Sequence, residues 1–364
     1  MRMGTGVVLS PFLKDMLSIT LGSVFTFILV LPLSVKKVEE NIEVFLLAMA
    51  VIAVTAAHAM GPKAVWTPDL VESALAEPIK LTLATLIFGG LFRAFRPALK
   101  KKIVAWESAV GPRLFAAMTI FTLGLLSSII TAIIAALILC EIISALSLDK
   151  KYETTLTVLA CFSIGLGAAL TPIGEPLSTV VLAKLRGGAH EVDFFFLLRL
   201  VGAYIIPGVL LLAGFGALLR GSEVPLRESV TEDHPESVRD IFTRAGRVYV
   251  FVVSLILLGT GFKPFIDAYI APLHPGLLYW INMSSAVLDN ATLAAAEIGP
   301  QMSVPQITGI LMGVVIAGGM LIPGNIPNII SASKLGISSR SWAVIGIPLG
   351  LVLMGAYYVI LFVA

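Results

Sequence analysis

A succession of apolar segments, several without a single charged residue, constrains this chain more than any other feature. They fall at about 17–35, 42–58, 81–95, 114–148, 154–183, 194–219, 248–262, 276–298, 302–333 and 342–364. A helix needs about 20 apolar residues to cross the hydrocarbon core of a bilayer. Hydrophobic residues make up 57% of the chain and charged ones 13%, against about 25% charged in a soluble protein, so the polar side chains needed to cover a water-facing surface are missing. The expected fold class is an all-α polytopic membrane protein whose first partner is the lipid bilayer.

A net charge of +2 gives no case for nucleic acid, and the four histidines show no ligand spacing. No zinc motif and no nucleophile–base pair stands out, so neither an enzyme nor a resident cofactor is expected. Cys140 and Cys161 both lie inside apolar stretches, where a thiol behaves as a small hydrophobe. The run after Lys14 and Asp15 lacks a small-residue cleavage site and reads as a retained first helix.

Segments 114–148, 154–183 and 302–333 are long for one crossing and short for two, and each contains glycine or proline. Broken helices and re-entrant hairpins give that signature. Basic clusters after the third segment (Arg93, Arg96, Lys100 to Lys102, Arg113) and along the longest polar loop (Arg220, Arg227, Arg239, Arg244, Arg247) belong on the cytoplasmic side. With hairpins that enter and leave by one face, the chain crosses about eight times and both termini end outside. The expected host is the cell membrane. Four regions follow: scaffold helices over 1–112, a first repeat core over 113–219, a cytoplasmic linker over 220–245 and a second repeat over 246–364.

An offset of 150 residues brings Gly174, Glu175, Ser178, Lys184 and Leu185 onto Gly324, Asn325, Asn328, Lys334 and Leu335, with Pro172 and Pro176 nearly in register with Pro323 and Pro327. Two prolines four apart should break an apolar helix, because each removes a donor and crowds the preceding turn. A hairpin-like segment precedes each break, at 114–148 and at 276–298, and an odd number of crossings separates the copies. Inverted repeats with a substrate site near the midplane are the expectation.

The residues that could carry chemistry sit at these interruptions. Asp289 and Asn290 place a carboxylate and an amide in mid-segment, and an intramembrane acid is a functional candidate by default; the competing role is a helix N-cap. At a hairpin tip they would be joined by half-helix ends whose exposed carbonyls suit a hard cation such as Na⁺. Glu175, Asn325 and Asn328 at the unwound centres could replace part of a hydration shell, although Glu175 is equally suited to cap the half-helix after it. Glu297, two turns beyond Asp289, and Glu141, late in the first hairpin, are candidate proton carriers, since a desolvated carboxylate can exchange a proton near neutral pH; the alternative puts both in the interface. Lys184, Lys334 and Arg199 read as cations that snorkel to the interface.

Ser285-Ala286-Val287-Leu288-Asp289-Asn290-Ala291 resembles the hairpin motif of the ion transporter superfamily, which contains NhaD-type sodium/proton antiporters, arsenite-pump membrane subunits and sodium-coupled dicarboxylate carriers. Thr171-Pro172-Ile173-Gly174-Glu175-Pro176-Leu177-Ser178 is similar to that group's first break, and Gly324 to Asn328 to its second. The resemblance runs from about Leu114 to the C-terminus and is nearest to a branch of small cation transporters. It implies an elevator-type transporter, with a scaffold that dimerises and a moving domain of two hairpins and two broken helices. By that carry-over Asp289 and Asn290 pair with Asn325 and Asn328 around a Na⁺ ion, while the first hairpin pairs with Glu175, Ser178 and Thr179. The first hairpin departs from the pattern, since Thr131 is followed by Ala132 and no acid–amide pair is present.

The leading functional expectation is secondary transport of a cation, as sodium/proton antiport. The alternative in the same fold is a sodium-coupled carrier of a small anion or organic acid, bound by half-helix amide ends.

Overall fold

The structure is a computed structural model and describes residues 11–146, 148–185, 190–219, 238–265, 268–269, 273–288, 290–299 and 302–363. The described residues are almost wholly helical and include no strand. Asp289 and most of the linker expected over 220–245 lie outside them.

The chain opens with α1 (Pro11–Ser34), the short α2 (Lys36–Glu40), α3 (Ile42–Met60) and α4 (Pro68–Val110). α4 corrects the sequence reading. Its 43 residues carry the third apolar segment straight on through Lys100 to Lys102, which sit on a helix and not in a loop. The stretch from Arg96 to Val110 carries three alanines and three lysines, strong helix formers that need no apolar surroundings. Thr67 caps the start, accepting from Leu70 N, with Pro68 in the first turn, where its missing N–H costs nothing. Gly111 ends it with φ +82°, and Pro112 starts the next helix directly.

α5 (Pro112–Ile130) and α6 (Ala132–Ala145) form the first hairpin, hinged at Thr131, which holds a positive φ of 77°. α7 (Lys150–Ala168) begins at Asp149, whose carboxylate accepts from the N–H groups of Lys151 and Tyr152. Then come α8 (Pro176–Leu185), α9 (Phe196–Leu218) and α10 (Val238–Phe265). The second hairpin consists of α11 (Pro275–Ile281), a 3₁₀ turn over Asn282–Ala286 and α12 (Asn290–Glu297). It is followed by α13 (Val304–Gly318), a 3₁₀ turn over Ile322–Gly324, α14 (Ile326–Leu335) and α15 (Ser339–Phe362).

Among the described residues six stretches are long and apolar enough to cross a membrane: Phe12–Pro32, Ile42–Met60, Pro112–Ile130, Phe196–Leu218, Ile241–Phe265 and Ser339–Phe362. This is a membrane protein. Segments 154–183 and 302–333 each divide into two shorter helices, as the proline pairs predict.

α3 packs against α1 and α10, and α4 packs against α10 as well. Gly261 lets α10 approach α3 closely, because a Cβ there would stand 2.8 Å from Val54 N. α5 packs against α7 and α9, and its approach to α7 is closer still, through Gly124 and Gly167. Small residues suit such contacts, since lipid offers no hydrophobic drive between helices and close van der Waals fit must supply it. Hydroxyls lock the same seam: Ser163 Oγ donates to Ile120 O (2.9 Å) and Ser127 Oγ to Ile164 O (2.9 Å).

Candidate functional site

The two breaks have matching boundaries. α7 ends at Ala168 and α13 at Gly318, and α8 and α14 span 176–185 and 326–335, so each pair is offset by 150 residues. The contacts inside the breaks match too. Ser178 Oγ donates to Ala169 O (3.2 Å) and, at 3.5 Å, to Ala168 O. Its counterpart Asn328 donates through Nδ2 to Gly318 O (2.8 Å) and Leu321 O (2.9 Å). A Cβ on Gly174 would press on Ala168 O, and one on Gly324 would stand 2.5 Å from Gly318 O. In both breaks a polar side chain on the second half-helix therefore ties up carbonyls that lost helical partners when the first half-helix ended.

Each hairpin reaches its own break. Ala132 N donates to Gly174 O (2.9 Å), and Thr171 Oγ1 donates to Ser128 O. In the second half, the point where a Gly324 Cβ would sit is 2.9 Å from Ser285 O. Ser285 Oγ donates to Asn290 Oδ1 and contacts Val314 O (3.0 Å), just as Ser127 Oγ reaches Ile164 O.

Around the second tip the structure brings together Asn290, Ser285, Gly318, Gly324 and Asn328. Gly318 is the pivot, since a Cβ there would stand 2.8 Å from Asn290 Nδ2 and 2.9 Å from its Oδ1, and Asn328 bonds to the Gly318 carbonyl. About two helical turns back along α13, Asn282 Nδ2 is 3.5 Å from Ile310 O and its side chain lies against Glu297. Gly313 makes room for that group, because a Cβ there would be 2.9 Å from Tyr279 O.

Several buried polar atoms in this region have no hydrogen-bond partner among the described residues: Asn282 Oδ1, Ser284 Oγ, Asn290 Nδ2, both carboxylate oxygens of Glu297 and Asn328 Oδ1. Glu297 is 3% exposed and Asn328 fully buried. A buried polar atom left unpaired costs about 1–3 kcal/mol. All of these atoms belong to the second hairpin and break, which makes that region the candidate site, since a bound group there could supply the missing partners.

The other sequence candidates fall elsewhere. Asn325 caps α14, accepting from Ile326 N (2.8 Å), and its Nδ2 faces Gly165 of α7. Thr179 is exposed and donates to Pro172 O (2.9 Å). Glu175 is buried at the start of α8. Glu141 lies on α6 in a buried ion pair with Lys334 of α14. That pair corrects the reading of Lys334 as a snorkelling cation, because its side chain is only 7% exposed. Lys184 and Arg199 are not buried.

The model of the DUF1646 family, described as a protein of unknown function, matches residues 19–364. The chain belongs to that family. No curated protein matches it. In this DUF1646 chain the sequence reading passed over Asn282 and gave no role to Ser285, and the signal that could have found both is plain: a buried amide and a hydroxyl interrupt an apolar segment a few residues before Asp289.

Proposed function

We propose that this protein is a secondary active transporter of a small cation, exchanging Na⁺ for H⁺. The observation that carries the reading is the cluster of buried acceptor oxygens without partners at the second hairpin and break. Oxygen dipoles and one carboxylate suit a hard monovalent cation, which sheds its hydration shell only where such groups replace it. In this reading Asn290, Asn328 and the neighbouring Asp289 hold the ion at the tip. Glu297, beside Asn282 about two turns away, carries the proton, because a buried carboxylate with no counter-cation among the described residues must take up a proton or another cation. Glu175, Ser178 and Thr179 mark the equivalent place in the first half, which lacks an acid and an amide at its hairpin tip.

The recurrence of break contacts at an offset of 150 residues supports two inverted repeats, and the resemblance to the ion transporter superfamily supports an elevator motion by a dimer. The unpartnered Asn290 Nδ2 is a donor that the alternative, a sodium-coupled carrier of a small organic acid, would use for the acid.

Sodium-dependent thermal melting of the purified protein tests the reading. Sodium chloride, compared with choline chloride at equal ionic strength, should raise the melting temperature of the parent, and Asp289→Asn should lose that rise while still folding. No sodium-specific rise in the parent, or an undiminished one in Asp289→Asn, would remove the proposed site. A further rise on adding dicarboxylic acids together with sodium would move the assignment to the acid carrier.

A further inference from the structure

A cavity of about 560 Å³ lies near the start of α3 and the end of α14, with α3 and α10 on one side and α14 and the start of α15 on the other. Arg247, Ser333 and Gly336 at its mouth are exposed, and Arg247 Nε is 3.3 Å from Glu43 Oε1. An ion pair and a hydroxyl cost little beside water and much beside acyl chains, so the mouth faces water. The floor differs: Val248, Phe251, Ile322 and Ile329 are buried and apolar.

Ile42, Ile322 and Ser339 line this cavity and also a second, much smaller hollow of about 10 Å³. Val287 of the second hairpin and Leu321 and Pro323 of the second break form other parts of the hollow's wall. The Leu321 carbonyl accepts from Asn328 Nδ2 (2.9 Å), so the hollow borders the residues proposed to hold the ion. Its volume is about the least that holds one water molecule, and a water stays only where polar partners hold it. An apolar constriction of this width stops a hydrated ion, which cannot shed its water without replacement. Ile42 belongs to α3 and Ile322 to the 3₁₀ turn of the break, so a shift between those two elements would widen it.

We propose that the larger cavity is the cation's aqueous entrance and that Ile42 and Ile322 form an apolar gate between it and the second hairpin tip. This rests on the transport reading and adds to it the route and the side chains that close it. Isoleucine carries no charge, so the gate works by excluding water: with it shut, water enters from the mouth and stops at Ile322, and the ion passes once α3 and the break part.

Thiol labelling of the purified full chain in detergent, without sodium, tests the route; the reagent is methanethiosulfonate ethylammonium, and mass spectrometry locates the label. Ser333→Cys at the mouth should react fast in every background. Val287→Cys, beyond the gate, should react slowly, and Ile322→Ala or Ile42→Ala should each speed it about tenfold or more, because the shortened side chain no longer fills the constriction. Ile28→Ala is the control, since Ile28 lines the hollow but not the cavity; cutting it back loosens the packing without joining the two spaces. Ile42 is only partly buried, so its variant should fold even where Ile322→Ala does not. Slow labelling of Ser333→Cys would overturn the entrance. An unchanged rate at Val287→Cys behind both truncations, or an equal rise with Ile28→Ala, would overturn the gate. With no sodium present, these results judge the passage alone, and the sodium-dependent melts judge the transport reading separately.

Discussion

Gly324→Ala perturbs the contact on which the second break depends. The added methyl would stand 2.5 Å from Gly318 O, 2.9 Å from Ser285 O and 3.0 Å from Ala286 Cα. All three are backbone atoms, so no side chain can rotate away, and the best separation for such contacts is about 3.5 Å or more. The hairpin tip and the break must therefore part by roughly 0.5–1 Å. Overpacking of this kind costs about 1–3 kcal/mol, and the smaller entropy of an unfolded alanine returns about 0.4–1 kcal/mol. The net expectation is a loss of about 1–2 kcal/mol, roughly a 5- to 30-fold shift of the folding equilibrium. Gly214→Ala on α9 is the control, since nothing lies within 4 Å of its Cβ position; it should leave stability unchanged or raise it slightly. Chemical unfolding of the purified protein, followed by tryptophan fluorescence, compares the two. Unfolding of Gly324→Ala at the same denaturant concentration as Gly214→Ala would show that the hairpin tip and the break are not in this contact.

The buried pair Glu141–Lys334 should behave as a unit. Lys334→Met alone strands a buried carboxylate and should cost about 3–5 kcal/mol, while Glu141→Gln combined with Lys334→Met should recover most of that loss; a double variant no more stable than the single would contradict the pairing. Outside the spans, hydrogen bonds from the Arg199 guanidinium hold the Asp193 carboxyl below its ordinary value, aided by the backbone N–H of Phe195. A lowered folded value means that the contribution is present above the unfolded pKa and fades as pH falls through the folded one. Both side chains are more than half exposed, so the effect should be small and weakened by salt. Melting curves of the parent and Asp193→Asn should converge only in acid, and a gap that widens on acidification would reverse the sign.

Much of the architecture could be read from the sequence because its cause is local. Pro172, Pro176, Pro323 and Pro327 cannot continue a helix, and α8 and α14 duly begin at the same offset. Asn290 and Asn328 stood out as polar points in apolar runs and do meet, through Gly318. What could not be read depends on which face a helix turns to its neighbour. Lys334 looked like an interfacial cation because its sequence neighbours do not reveal that α14 lies on α6 and faces Glu141. Asn325 sits at the start of a half-helix, and only the packing of α7 shows its amide directed at Gly165. The length of α4 has a different cause: its apolarity ends near Phe95, but the alanines and lysines that follow favour the helix equally well.

Radioactive sodium uptake into proteoliposomes with an imposed pH gradient tests the exchange of Na⁺ for H⁺. Vesicles with an acidic interior should accumulate sodium faster than protein-free ones, an uncoupler that collapses the proton gradient should stop the accumulation, and Glu297→Gln should abolish the proton-driven component. Uptake no faster than in protein-free vesicles, under either direction of the gradient, would rule out sodium/proton exchange.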